Sequence, residues 1–170
     1  MPTLIARVLP HLPLTHSIQI QVSFAGHAKL GGSGAGWVID GDNALPLVTL
    51  PQNQTSEVLL CPITGLQVGD VVTAVGISGQ IDSGGNAVTL ALDARKVTGA
   101  SGGHSDASLG TASLASVTTD TEVTPSTLVV SELTETIAAN EQLYITLTGT
   151  TGATTDVELY NIVVTVTRNR

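Results

Sequence analysis

Aromatic and charged side chains are both scarce in this 170-residue sequence. Phe24, Trp37, Tyr144 and Tyr160 are its only aromatics, which leaves few flat faces for a sugar platform. Charged residues make up 12%, against roughly 25% in an average domain. Six are basic and 14 acidic, for a net charge of −8. The clustered Lys and Arg that neutralise phosphates are missing, so nucleic acid is not an expected partner. Cys61 is the only cysteine, which excludes an intrachain disulfide. It sits in Val58-Leu59-Leu60-Cys61 with no cationic neighbour in sequence to activate it, so a small buried thiol is expected. No run reaches the ~18 consecutive apolar residues of a membrane helix. Met1 to His16 is interrupted by Pro2, Pro10 and Pro13 and carries Arg7. It lacks the apolar core and cleavage site of a signal peptide, so cytoplasmic synthesis is expected and the sequon Asn53-Gln54-Thr55 is read as chance.

What is present is apolar and patterned. Mean hydropathy is +0.32 and 42% of residues are hydrophobic, which excludes a disordered chain. The dominant period is two. Ile18, Ile20, Val22 and Phe24 alternate with polar neighbours, as in a half-buried strand. Further strands are predicted at Trp37–Ile39, at Leu45–Leu50 with an edge position suggested by Pro46, and at Ser56–Cys61. Asp70–Gln80 and Ala87–Val97, joined by Asp82-Ser83-Gly84-Gly85-Asn86, read as a hairpin. Gly99–Ser108 reads as a loop by composition, followed by strands at 112–119, 127–133, 142–148 and 157–167. In the last of these the apolar phase shifts from Val157 and Leu159 to Tyr160, Ile162, Val164 and Val166, which predicts a β-bulge or a strand changing sheets. No sustained helical period occurs, and Ile137-Ala138-Ala139 could form one turn at most. Roughly ten short strands imply an all-β fold, an antiparallel β-sandwich of jelly-roll type. An extended arm (1–16) would precede a single domain (17–170), with the 99–108 loop as the place where it could subdivide.

Each motif with catalytic overtones has a plainer reading. Gly99-Ala100-Ser101-Gly102-Gly103 matches G-x-S-x-G, with His104 and Asp106 close behind. A nucleophile elbow needs a strand-to-helix turn and a remote histidine, so a surface loop is expected and no enzyme. Asp40-Gly41-Asp42-Asn43 offers oxygens suited to calcium but is too short for an EF-hand, and reads as a turn. His11, His16, His27 and His104 have no ligand spacing for zinc, and Gly31–Gly36 has no phosphate-loop lysine. No cofactor or metal is expected. Phe24 falls on the apolar face of its strand. Trp37, beside glycines, and Tyr144, on a polar strand face, are the two candidate ligand or interface aromatics.

Charge is distributed unevenly. No Lys or Arg lies between Lys96 and Arg168, whereas eight acidic residues do. Arg7, Arg168 and Arg170 lie near the chain ends. An arm too apolar to dangle in water, with Leu9 and Leu12, is expected to pack on a neighbouring chain or on its own sheet. The candidate interface residues are therefore Arg7, Leu9, Leu12, Trp37, Tyr144, Arg168 and Arg170. The segment Ala138-Ala139-Asn140-Glu141-Gln142-Leu143-Tyr144-Ile145-Thr146-Leu147-Thr148-Gly149-Thr150-Thr151-Gly152-Ala153-Thr154-Thr155-Asp156-Val157-Glu158-Leu159 resembles the ends of small all-β virion proteins of tailed bacteriophages. Leu66-Gln67-Val68-Gly69-Asp70, leading into a Val/Thr strand, is similar to them too. The resemblance spans about 66–167. It implies a capsid decoration protein, trimeric in many cases, located in the virion and bound to the major capsid protein or another virion protein. A receptor- or glycan-binding fibre domain is the alternative.

Overall fold

A computed structural model describes residues 15–24, 28–30, 36–40 and 47–169. Among them the chain forms thirteen strands and no helix. The strands are β1 (Thr15–Ser23), β2 (Ala28–Leu30), β3 (Val38–Asp40), β4 (Leu47–Leu50), β5 (Glu57–Pro62), β6 (Val71–Asp82) and β7 (Val88–Ala100). They continue with β8 (Gly103–Val117), β9 (Thr121–Val123), β10 (Val129–Val130), β11 (Glu135–Thr136), β12 (Glu141–Thr150) and β13 (Asp156–Asn169). Two antiparallel sheets result. The eight-stranded sheet runs β10-β6-β13-β4-β3, with β1 also on β13 and β9 and β11 also on β6. The five-stranded sheet runs β2-β5-β12-β7-β8. This is the all-β antiparallel sandwich that the period-two pattern implies.

The core lies between the sheets. Ile77, Ile81, Leu159, Ile162 and Val164 from one meet Leu59, Leu90, Leu92, Leu143, Ile145 and Leu147 from the other, all essentially inaccessible to water. Fully burying each such side chain stabilises by about 1.5–3 kcal/mol. Phe24 and Cys61 join this core, as the sequence pattern implies. The phase shift in β13 is a bulge: Leu159 pairs with Gly79 and Asn161 with Ser78, leaving Tyr160 unpaired. The inward series therefore steps by three, from Leu159 to Ile162, and the strand stays buried on one face beyond the irregularity.

Several expectations are corrected. β6 and β7 are not a hairpin: β6 pairs with β13, β9, β10 and β11, while β7 lies between β12 and β8 in the other sheet. Ser83–Ala87 carries the chain across the end of the sandwich, with Asn86 N–H donating to Ser83 O at 2.8 Å. Turn chemistry alone does not distinguish such an arch from a hairpin. Burial does, because both strands have a fully apolar inward face that only the opposite sheet can cover. β4 is not an edge strand, since β3 pairs on its outer side. Gly99–Ser108 is not a loop. A two-residue turn at Ser101-Gly102 joins β7 to β8, whose register runs from Ala100↔Gly103 to Val88↔Val117. Segments on both sides of this hairpin contribute to both sheets. The predicted strand 127–133 reduces to Val129–Val130, because Thr124–Thr127 forms a turn and Glu132 takes a φ of 60°. Thr15 and His16 belong to β1 and not to the arm. Residues 1–14, and with them Arg7, Leu9 and Leu12, lie outside the described residues, as do Arg170 and the Gly41–Asn43 part of the acidic turn.

Candidate functional site on the outer face of the five-stranded sheet

Strand register assembles the site. Tyr144 on β12 pairs with Pro62 on β5 and with Arg95 on β7, and Arg95 pairs with Ser108 on β8. One row along, Val97 lies between Gln142 and Asp106. On the other side Thr146 lies between Leu60 and Asp93. Alternation turns this set away from the core, and directly opposite residues stand roughly 5 Å apart. Leu60, Pro62, Val97, His104, Asp106, Gln142 and Tyr144 line a shallow, mostly apolar depression of about 330 Å³.

A charge network holds its rim. Arg95 donates through Nη1 to Asp93 Oδ2 (2.6 Å), through Nη2 to Asp106 Oδ2 (2.7 Å) and through Nε to the Tyr144 hydroxyl (3.0 Å). The Tyr144 O–H donates to Asp106 Oδ1 at 2.6 Å, and Ser108 Oγ donates to Asp93 Oδ1 at 2.5 Å. Hydrogen bonds from Arg95, then from Tyr144, hold the Asp106 carboxyl below its usual range. Burial, then the bond to Asp106, pushes the Tyr144 phenol up. Both groups thus keep fixed protonation states around neutral pH, as acceptor and donor. The network orients Tyr144 without lending it acid–base reactivity.

The other sequence candidates fall elsewhere. Trp37 is only 6% exposed, and its Nε1–H donates to the Glu57 carbonyl at 3.1 Å. Its ring packs in the core, where a Cβ added at Gly149 would touch it, so it offers no face to a ligand. This corrects its candidacy as a ligand aromatic. Arg168 is tied within the chain: Nε donates to Asp70 Oδ1 and Nη2 to Asp70 Oδ2, both at 2.7 Å, and Asp70 is 1% exposed. That clamp closes the Gln67–Asp70 turn onto β13, beside a second depression of about 400 Å³ between residues 63–68 and 137–143. Ser101 is at a hairpin tip with no helix after it, and Asp106 is held by Arg95 and Tyr144. The G-x-S-x-G run therefore lacks an elbow's geometry. Among the described residues no group of three His, Cys, Asp or Glu could hold a metal ion, and no helix is long and apolar enough to cross a membrane. Sequence reasoning finds Tyr144 but misses its partners Arg95 and Asp106, and Asp93 beyond Arg95. Alternation within Ala87–Val97 sets Asp93 and Arg95 on one face, but the composition of Gly99–Ser108 reads as a loop and so hides Asp106.

No protein-family model matches this chain, and no curated protein matches it. Solved structures give distant likenesses. A family two carbohydrate esterase from Cellvibrio japonicus is 12% identical with a TM-score of 0.40, the match covering 92% of this chain and 36% of that one. The infectious bursal disease virus Gt strain gives 15% identity and a TM-score of 0.32, covering 98% and 36%. The VP2 subviral particle of infectious bursal disease virus gives 17% and 0.29, covering 97% and 37%. This chain thus spans little more than a third of those proteins. At scores this low the likenesses bear on neither activity nor partner.

Proposed function

We propose that this protein is a non-enzymatic virion component of the decoration type, which docks on a capsid surface and reinforces it as a homo-oligomer. The observation that carries the reading is the outer face of the five-stranded sheet. It combines an apolar floor (Leu60, Pro62, Val97) with charges paired among themselves, Arg95 between Asp93 and Asp106, and a tyrosine fixed by two partners. A surface built this way docks with little loss of side-chain freedom and little desolvation of unpaired charge, which is what a protein–protein contact requires. The partner of best fit is the major capsid protein or another virion protein. Support also comes from the resemblance of 66–167 to phage virion proteins, and from the apolar composition of residues 1–14.

The test is co-sedimentation of the purified chain with virus particles from which its gene has been deleted. Wild type should pellet with the particles. Leu60→Glu and Val97→Glu, which charge the floor, should lower binding at least tenfold while circular dichroism stays unchanged. Undiminished binding by both variants would exclude this face. A glycan-binding reading retains Tyr144, Gln142, Asp106 and His104 around the depression, but has lost Trp37 to the core. Glycan-array binding abolished by Tyr144→Ala would favour it over shell docking.

A further inference from the structure

The hairpin tip that the G-x-S-x-G run occupies has a property that the docking face does not explain. β8 is the last strand of its sheet, paired on one side with β7 and, among the described residues, with nothing on the other. Gly103 to Ser108 are all exposed, in both alternating phases, so the tip projects beyond the sandwich with neither face covered. Gly102 and Gly103 have open space where a side chain would stand. The two-residue turn makes Ala100 and Gly103 a hydrogen-bonded pair, so by alternation Gly103, Ser105 and Ala107 bond to β7. The backbone groups of His104, Asp106 and Ser108 then point outward. Proteins blunt such edges with Lys, Pro or a covering segment. β8 has no Lys, Arg or Pro over its 15 residues, and its bulge falls at Leu109, beyond the tip.

We propose that this edge is an interface, in which β8 of one chain pairs antiparallel with β8 of a second copy about a two-fold axis at Ser105. An open strand edge is chemically specific, because only another extended backbone completes its hydrogen bonds. The sequence selects the second copy and the register. Asp106 and His104 are the only titratable groups of β8, and they stand two residues apart. A two-fold at Ser105 sets His104 opposite Asp106 of the second copy, and the reverse, so an imidazole donor faces the remaining lone pair of each carboxylate that Arg95 and Tyr144 already hold in place. The same register makes His104/Asp106 the hydrogen-bonded pairs and Ser105/Ser105 the close, non-bonded pair, which matches the outward-pointing backbone groups. Two five-stranded sheets become one continuous sheet. The pairing is independent of shell docking and stands or falls separately.

Non-bonded antiparallel pairs place Cα atoms ~4.5 Å apart, within disulfide range. Ser105→Cys in the full chain should therefore yield a disulfide-linked dimer of twice 17.3 kDa under mild oxidation, whereas Ser113→Cys, further along the same strand, should not. Light scattering of concentrated wild type should show the dimer, and Ser105→Lys, which sets two cations opposite one another, should return it to monomer with an unchanged circular dichroism spectrum. The proposal is overturned if folded Ser105→Cys cross-links no faster than Ser113→Cys. It is also overturned by a monomeric wild type, by a trimer, or by a dimer that survives Ser105→Lys.

Discussion

Asp70 and Asp156 are two carboxylates on which the fold places opposite demands. The Arg168 guanidinium, bonded to Asp70, holds that carboxyl below its usual value. Its contribution is full above the unfolded pKa of ~3.9 and is lost as pH falls through the lower folded value. Urea titration should show Arg168→Ala less stable than wild type at pH 7, with the deficit shrinking in acid as Asp70 becomes protonated. Asp156 is pushed up, first by burial and then by Asp82, which sits directly opposite it in the β13–β6 ladder. Its contribution is present below the unfolded pKa and is lost as pH rises through the folded one. Asp82→Asn should raise stability at pH 7 by about 0.5 kcal/mol, the scale of a like-charge cross-strand pair, and should lower the Asp156 midpoint seen by NMR. Cys61 shows burial acting alone, pushed up to about 12. A thiol reagent at pH 8 should leave it unmodified in the native protein and label it fully in urea; native labelling at the denatured rate would contradict its placement.

At the scale of strands, what the sequence shows depends on whether its signal is local. Alternation in β1, β5, β12 and β13 is local, and each of these strands is found within two residues of its expected bounds. The bulge at Tyr160 was legible for the same reason, since a phase shift is written in consecutive residues. Which strand pairs with which is not local. Ser83–Ala87 has the glycines of a hairpin turn, yet it spans two sheets because the apolar faces of β6 and β7 must oppose one another. The β7–β8 hairpin was hidden for the opposite reason, as Gly, Ser and Ala at 99–108 carry no apolar alternation in a tip exposed on both faces. The site inherited both outcomes: Tyr144 was visible from β12 alone, and its network became visible only with the β8 register. Close sheet packing also fixes glycines that no pattern reveals. A Cβ at Gly79 would meet the Glu158 carbonyl, backbone that cannot swing aside, whereas one at Gly149 would meet the Leu50 and Trp37 side chains. Gly79→Ala should cost about 2–3 kcal/mol and Gly149→Ala less, measured as paired shifts in the urea midpoint.

The whole molecule gives the shortage of charge its sense. Arg95, Lys96 and Arg168 are each consumed by carboxylates of their own chain. Much of the remaining acidity lies on the eight-stranded sheet, where Glu122 and Glu158 flank Gln80 in neighbouring strands. The two outer faces therefore differ, one carrying acids unpaired among the described residues and one whose charges are paired around an apolar floor, and the second is the better suited to contact. Under the proposed function, that asymmetry would set the five-stranded sheet toward the capsid and the acidic sheet toward solvent. Electron cryo-imaging of virus particles incubated with the purified chain is the decisive measurement for the proposed function. The expected result is density for the sandwich at regular positions of the shell lattice, with Tyr144 and Leu60 facing the capsid. Copies confined to a tail or fibre, or a lattice-bound sandwich with that sheet turned to solvent, would contradict it.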